Sequence, residues 1–394
     1  MLSIEDARTR ILAALAPLPS EIVPLQLASH RVLAAQILAR RTQPPQNISA
    51  MDGYAVRTQD GLAPRAIIGA VPAGQIFPGT IGPNQAVRIF TGSVIPPGAN
   101  AVLLQEDAHT AFETLTTTQH LRENQNIRAK GSDFSESHPL LLPGRRLTPR
   151  DLALIAAANH PFVPVHRRPR VAILSTGDEL ALPGDPIPAG SIISSNPFML
   201  HALLTSAGAD AIQLPNLGDD LNAITRAVQN LGAIDLLITT GGASVGDHDL
   251  TRAALENAGY QLDFWKIAMR PGKPMFFGTR ENLAVLGLPG NPVSAFVCAV
   301  LFALPAIWHL AGRTDFTLPL DTAILTTPLP PNDHRADHLR ATLTANHVTP
   351  QPRQDSGGLS ILAHSHALIL RPPHAPAAET GDTVPIIRFA SLGI

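Results

Sequence analysis

Ile234-Asp-Leu-Leu-Ile-Thr-Thr-Gly-Gly-Ala-Ser-Val-Gly-Asp-His-Asp249 decides the fold. A short apolar run, Leu236 to Ile238, stops at a glycine-rich turn. The turn hands over to Leu250, Ala253, Ala254 and Leu255, which have helical spacing and are closed by Gly259. That order reads as strand, loop, helix. In an open α/β sheet such a loop lies at the carboxyl end of a strand, where ligands of that architecture bind. Gly241, Gly242 and Gly246 allow close backbone approach, and the loop amides with the helix start form an anion site. Asp247 and Asp249 in the same loop would repel a bare phosphate, so a divalent cation is expected between them.

Outward from this stretch, residues 170–312 alternate regularly. Strands are expected at Val171–Leu174, Ala211–Leu214, 234–240, Phe264–Met269, Met275–Phe277 and Leu283–Leu286. Helices are expected after Asn196-Pro197, over Asp219–Leu231 and after Asn291-Pro292. This is the pattern of a doubly wound, mainly parallel sheet. Upstream, Ser3-Ile-Glu-Asp6 is a capping-box helix start, Ser29–Leu38 has a second helical pattern, and Thr148-Pro-Arg-Asp151 opens a third helix. Packing of this third helix on the first two would make the segment between them an insertion. The expected architecture is therefore an α/β multidomain chain with four parts: a helical N-terminal and linking part (1–46 and 140–169), an inserted β domain (47–139) with short apolar runs broken by Gly and Pro, the central α/β sheet domain (170–312), and a small C-terminal β domain (313–394).

Composition narrows the function classes. A chain of 394 residues exceeds one ordinary core. Net charge is −2 and aromatics are 4%, so no basic, aromatic-interleaved nucleic-acid surface is expected. The single cysteine, Cys298, rules out a disulfide framework and a thiolate metal site. The start lacks a signal-peptide pattern, and the apolar run Val293–Leu310, with Pro305, Trp308 and His309, reads as a buried helix and not a membrane span. A cytoplasmic location without membrane association is expected.

Four strand ends carry ligand-type loops: Ser175-Thr-Gly-Asp-Glu179, Gly241 to Asp249, Arg270-Pro-Gly-Lys-Pro274 and Gly287-Leu-Pro-Gly-Asn-Pro292. Parallel topology brings such ends to one crevice. Asp178, Glu179, Asp219, Asp247 and Asp249 are oxygen donors suited to Mg²⁺, with Glu179, Asp219 and Asp249 the candidate ligands. Lys266, Arg270 and Lys273 are candidate cations for phosphate or an oxyanion. Ser175, Thr176, Gly177, Gly241, Gly242, Ser244, Gly246, Pro289, Asn291 and Pro292 are candidate substrate contacts. Bland readings stand beside these: Asp219 and Asp220 can simply favour a helix start, Lys266 can be a solvated strand residue, and His248 a solvated loop histidine. In the insertion, Ser49-Ala-Met-Asp-Gly-Tyr-Ala55 and Arg88-Ile-Phe-Thr-Gly92 read, each alone, as structural turns. Spacing by itself reaches a phosphorylated, metal-bridged ligand and stops.

Taken in order, Ser49–Ala55, Thr91-Gly92 before Pro96-Pro-Gly-Ala99, Gly131-Ser-Asp133, Ser175–Leu180, Gly241–Gly246, Pro271–Pro274 and Leu288–Ser294 make the chain resemble the MoeA-type molybdopterin molybdenumtransferases, which include the E domain of gephyrin. The resemblance runs nearly end to end and is weakest in the C-terminal domain. It implies Mg²⁺-dependent insertion of molybdate into adenylylated molybdopterin with release of AMP. It also implies an elongated homodimer whose cleft lies between the sheet domain of one subunit and the insertion of the other. Functional positions carried over by motif are Asp52, Thr91, Glu179, Asp219, Asp249, Lys266, Lys273, Pro289 and Pro292. Implied partners are the molybdopterin adenylyltransferase upstream and cofactor-finishing or molybdoenzyme proteins downstream. Three departures stand out: Ala129 within Asn126-Ile-Arg-Ala-Lys130 replaces a usual cation, Arg270 stands where lysine is frequent, and His248 separates the loop acids. A non-catalytic scaffold and a nucleotide hydrolase of the competence-damage type are the competing readings. The first leaves the charged crevice unexplained, the second the Met51-Asp-Gly-Tyr54 segment.

Overall fold

The computed structural model describes residues 1–242 and 250–394. Helix α1 (Ile4–Ala13) is capped by Ser3, whose Oγ accepts the Asp6 amide at 3.0 Å. Helix α2 (Pro149–Ala157) has the full capping box, Thr148 against Asp151. The helix expected over Ser29–Leu38 is not formed. His30 has φ 61°, Val32 and Leu33 bridge to Arg146 and Val165, and Ile37–Leu38 is a short strand paired with Pro139–Leu141. The apolar spacing of Leu33 and Ile37 is real, but strand pairing puts both in one core, beside Val23, Leu147, Ile155, Val163 and Val165. Tertiary pairing thus overrides a local helical pattern. The N-terminal part is consequently not clearly helical. The expected packing of α1 on α2 is also absent: Ile4, Ala7 and Ile11 are buried in the core of the central sheet.

That sheet contains β1 (Arg170–Ser175), β2 (Asp210–Gln213), β3 (Leu236–Thr240), β4 (Gln261–Phe264), β5 (Phe276–Arg280) and β6 (Leu283–Leu288). Their spatial order is β2-β1-β3-β6-β5-β4. Four neighbours, β2 to β6, run parallel, whereas β6–β5 and β5–β4 are antiparallel. The sheet is mixed and not mainly parallel throughout, because only Glu281 and Asn282, with Glu281 at φ 55°, separate β5 from β6. A two-residue link makes a hairpin; a parallel crossover needs a dozen residues. Helices cover both faces. With α1, α3 (Asn196–Ser206) and α6 (Pro292–Leu310) build one core, and α4 (Leu221–Gln229) with α5 (Leu250–Asn257) the other. Helix α6 is long and apolar enough to cross a membrane, yet 94% of its apolar window is buried inside the protein, so it is a core helix.

The inserted region holds a six-stranded mixed sheet in the order Ala101–Leu104, Gly53–Val56, Gln85–Ile89, Arg65–Val71, Thr114–Thr116, His109–Ala111. Its entering and leaving chains pair with each other at Ile37–Leu38 and Pro139–Leu141. In the C-terminal region, Ala336–Thr344, His347–Pro350, Asp321–Leu325, Thr383–Arg388 and Ala367–Arg371 follow one another around a ring. The last pairs back to the first, closing a small barrel. A short strand, Met269–Arg270, leaves the central domain and pairs in parallel with Ala336 and Asp337 of the barrel.

Candidate functional site

A cleft of about 700 Å³ opens at the carboxyl ends of β1, β3 and β6. Ser175, Thr176, Gly177, Glu179, Asp219, Gly241, Gly242, Pro289, Asn291 and Pro292 all line it, as the strand-end loops imply. The three loops are stitched at main-chain level. Gly241 has φ 90°, and a Cβ there would stand 2.4 Å from the Thr176 carbonyl oxygen. A Cβ on Gly290 would lie 3.6 Å from the Gly241 Cα, an ordinary contact distance, so the two loops run close together. Thr240 Oγ1 donates to the Pro289 carbonyl at 3.2 Å.

Sequence reasoning missed the residue that ties this together. Asn196 reads as a helix N-cap, but it makes no capping bond; Ser195 occupies the cap position. Its buried Nδ2 instead donates to Thr240 Oγ1 at 2.8 Å and to the Gly290 carbonyl at 2.7 Å. Only the Asn-Pro pair hinted at it, and that pair signals a helix start equally well. Asn196 Oδ1 and Ser175 Oγ, both at the cleft, have no hydrogen-bond partner among the described residues. Buried polar atoms of this kind are normally satisfied, yet the cleft wall leaves one acceptor and one hydroxyl unpaired among the described residues. Ser194, Ser195, Thr240, Leu180, Ile192 and Ile193 line the cleft as well, and Gly357 and Leu359 of the C-terminal domain close one side.

The acidic pair Asp219-Asp220 divides its labour. Asp220 caps α4, its Oδ1 accepting the Asn222 and Ala223 amides at 2.8 and 3.0 Å. Asp219 is thereby left to face the cleft, and its amide donates to Asp178 Oδ1 at 2.9 Å. The Glu179 carboxylate folds over Gly177, where a Cβ would meet its Oε2 at 2.5 Å. Glu179 and Asp219 thus meet in one cleft as hard oxygen donors with solvent access. That donor set suits Mg²⁺, which takes one or two carboxylates plus water and ligand phosphate. Among the described residues no group of three or more His, Cys, Asp or Glu converges. The third expected ligand, Asp249, and the expected contacts Ser244 and Gly246, with Asp247 and His248, lie outside the described residues.

The expected cations separate. Lys266 and Lys273 are exposed, and the Ile267 amide donates to the Lys273 carbonyl at 3.1 Å, so their segments run side by side. Neither lysine lines the cleft, but Pro274 does. Among the described residues neither makes an ion pair. Arg270 is committed elsewhere. Its Nε donates to Asp337 Oδ1 at 2.8 Å, a second nitrogen holds Asp337 Oδ2, and Asp333 lies 3.8 Å away. Asp337 also raises the Arg270 pKa. The expectation of a phosphate cation at Arg270 is therefore corrected: a bidentate pair with a mostly buried carboxylate spends that charge on docking the barrel.

Asp52 and Thr91 do not line the cleft of their own chain. They form a unit of their own: the Thr91 amide and hydroxyl donate to Asp52 Oδ1 at 2.7 and 2.8 Å. These bonds, the amide first, hold the exposed Asp52 carboxyl below the usual carboxylate range, and Arg88 adds to the effect. Cys298 is inert by contrast. It is fully buried against Gly272, and burial pushes its thiol far up.

The fold and cleft define a multidomain α/β protein with a polar ligand cleft, carrying two carboxylates suited to a divalent cation, at the strand-end edge of its sheet. Three consecutive regions match family descriptions: residues 2–159 the MoeA N-terminal region (domain I and II), 172–309 the probable molybdopterin binding domain, and 322–389 the MoeA C-terminal region (domain IV). The molybdopterin molybdenumtransferase of Haemophilus influenzae is 36% identical over 403 aligned positions, covering 100% of both chains. That of Bacillus subtilis is 35% identical, covering 93% of this chain and 89% of its own. A crystal structure of a molybdopterin biosynthesis moeA protein from Pyrococcus horikoshii superposes with TM-score 0.86 at 27% identity, covering 99% and 100%. The chain belongs to the MoeA-type molybdopterin molybdenumtransferase family.

Proposed function

We propose that this chain is the molybdopterin molybdenumtransferase step of molybdenum cofactor biosynthesis: Mg²⁺-dependent insertion of molybdate into adenylylated molybdopterin, with release of AMP. The observation that carries the reading is the meeting of Glu179 and Asp219 in one cleft whose wall holds the unpartnered Ser175 Oγ and Asn196 Oδ1. Gly241, Gly242 and Gly290 line the cleft and would present main chain to the nucleotide's phosphates. Lys266 and Lys273 neutralise phosphate or molybdate charge from the rim. Glu179 and Asp219, with Asp249, would hold Mg²⁺, which when bound supplies charge neutralisation for the pyrophosphate. Preorganised cations and dipoles facing the leaving AMP phosphate favour its departure.

The working form is a homodimer in which Asp52 and Thr91 of one copy complete the cleft of the other. In support, the pair is preoriented and exposed, yet outside its own chain's cleft. The reading places the protein in the cytoplasm, between a molybdopterin adenylyltransferase that supplies the substrate and proteins that finish or accept the cofactor. The test is AMP release from adenylylated molybdopterin by the purified chain with molybdate and Mg²⁺. Glu179→Gln and Asp219→Asn should each reduce it strongly and raise the Mg²⁺ concentration required. Wild-type rates and Mg²⁺ dependence in both variants would remove the proposal.

A further inference from the structure

Asp52, Tyr54, Arg88 and Phe90 share one face of the inserted sheet, because Asp52 and Tyr54 alternate along one strand end, Arg88 and Phe90 along the next, and Tyr54 pairs with Arg88 across the strands. We propose that Arg88 is a positioning residue for Asp52, fixing the carboxylate that one copy of the chain delivers to the cleft of the other. This rests on the function proposed above.

The Arg88 guanidinium lies 5.0 Å from the Tyr54 ring centroid and 5.1 Å from that of Phe90, in a chain with only 4% aromatics. Arg88 Nη1 donates to the Gly53 carbonyl at 3.3 Å and Nη2 to Gln105 Oε1 at 2.6 Å. The Gln105 amide in turn donates to the Asp52 carbonyl at 3.2 Å. The guanidinium therefore grips the main chain just after Asp52 directly and Asp52 itself through Gln105. Its contact with Phe90 also steadies the peptide that presents the Thr91 amide to Asp52 Oδ1. Gly53 fixes the strand's position, since a Cβ there would stand 1.9 Å from the Leu103 carbonyl oxygen.

No carboxylate pairs with Arg88 within 4 Å among the described residues. In the same network Gln105 Nε2 donates to Glu106 Oε1 at 3.2 Å, and the acid on which the Arg88 charge acts is Asp52 itself. The planar fork is thus held by two rings and two neutral acceptors, which fixes its orientation beside Asp52. Lysine has the charge but not the fork.

The experiment measures kcat and KM for AMP release by the full chain in Asp52→Asn, Arg88→Met, Arg88→Lys and the Asp52→Asn/Arg88→Met double variant. Arg88→Met should lower kcat about 10- to 100-fold with KM little changed, as misplacement of a catalytic group does. Arg88→Lys should not restore it. The double variant should be no slower than Asp52→Asn alone, because Arg88 acts only through that carboxylate. A wild-type kcat in Arg88→Met beside an impaired Asp52→Asn, or fully multiplicative losses in the double variant, would overturn the proposal while leaving the function intact. A wild-type Asp52→Asn would overturn both the role of Asp52 and this inference. Should Arg88→Met fail to fold, Gln105→Leu takes its place: it removes one acceptor, and a wild-type kcat in it overturns the clamp.

Discussion

Gly241→Ala should damage the sheet edge far more than a glycine-to-alanine change at a positive-φ site that opens on free space. Gly232 is the control: it has φ 67°, and nothing lies within 4 Å of a Cβ placed there. Gly232→Ala therefore pays only for the left-handed backbone, about 1 kcal/mol. At Gly241, φ is 90° and the new Cβ would stand 2.4 Å from the Thr176 carbonyl oxygen, 1.0 Å short of the 3.4 Å at which ordinary contact begins. That oxygen belongs to main chain at a strand end, where the Thr176 amide donates to the Thr240 carbonyl at 3.2 Å. Relief requires parting β1 from β3, losing one buried hydrogen bond and exposing loop backbone, roughly 2 kcal/mol more. Calorimetry should show Gly241→Ala melting about 5 °C below Gly232→Ala, taking about 2–4 °C per kcal/mol for a domain of this size. AMP release should fall in Gly241→Ala alone. Equal melting temperatures and equal turnover in the two variants would refute the claim that the loops meet at Gly241.

Asn196→Ala removes both donors that bind Thr240 and Gly290. It should destabilise by about 2 kcal/mol and raise KM in steady-state kinetics, whereas a simple helix cap would leave KM alone. Arg270→Ala leaves Asp337, only 9% exposed, without its partner. It should cost about 2 kcal/mol and, in limited proteolysis, expose the junction between sheet domain and barrel. His338 is fully buried, and burial holds its pKa down at about 4 despite a hydrogen bond to the Arg270 main chain. The folded state therefore resists protonation while the unfolded chain accepts it below about 6.5. This contribution to stability is intact above that value and declines as pH falls toward 4, by roughly 3 kcal/mol in total. Denaturant midpoints from pH 7 to 4 should fall more steeply in the wild type than in His338→Gln.

Much of the site was legible because its chemistry is written in contiguous loops. The Gly-rich turn at Gly241, the Ser175–Glu179 loop and Pro289–Pro292 each follow a strand, and parallel topology then forces them together. The misreadings share a physical cause: spacing records what is buried, not what covers it. Leu33 and Ile37 have a helical interval, yet strand pairing with Val165 and Leu141 buries them. Helix α1 is visible in the sequence, but its attachment to the central sheet depends on the distant pairing of Leu2 with Ile267. Arg270 looked like a phosphate cation because Asp337, its partner, is 67 residues away. For Asp219 and Asp220 the local signal was balanced, and only the geometry of the α4 cap separates them.

The barrel's share in the cleft has a further consequence. The Val293 amide donates to the Ser356 carbonyl at 3.0 Å, which seats Gly357 and Leu359 against the strand-end loops. A truncation ending at residue 312 would preserve all six sheet strands and both carboxylates, yet it would present a trough in place of an enclosed groove. Ligand would then leave such a fragment faster than the intact chain, even though no residue of the β1, β3 or β6 loops had changed.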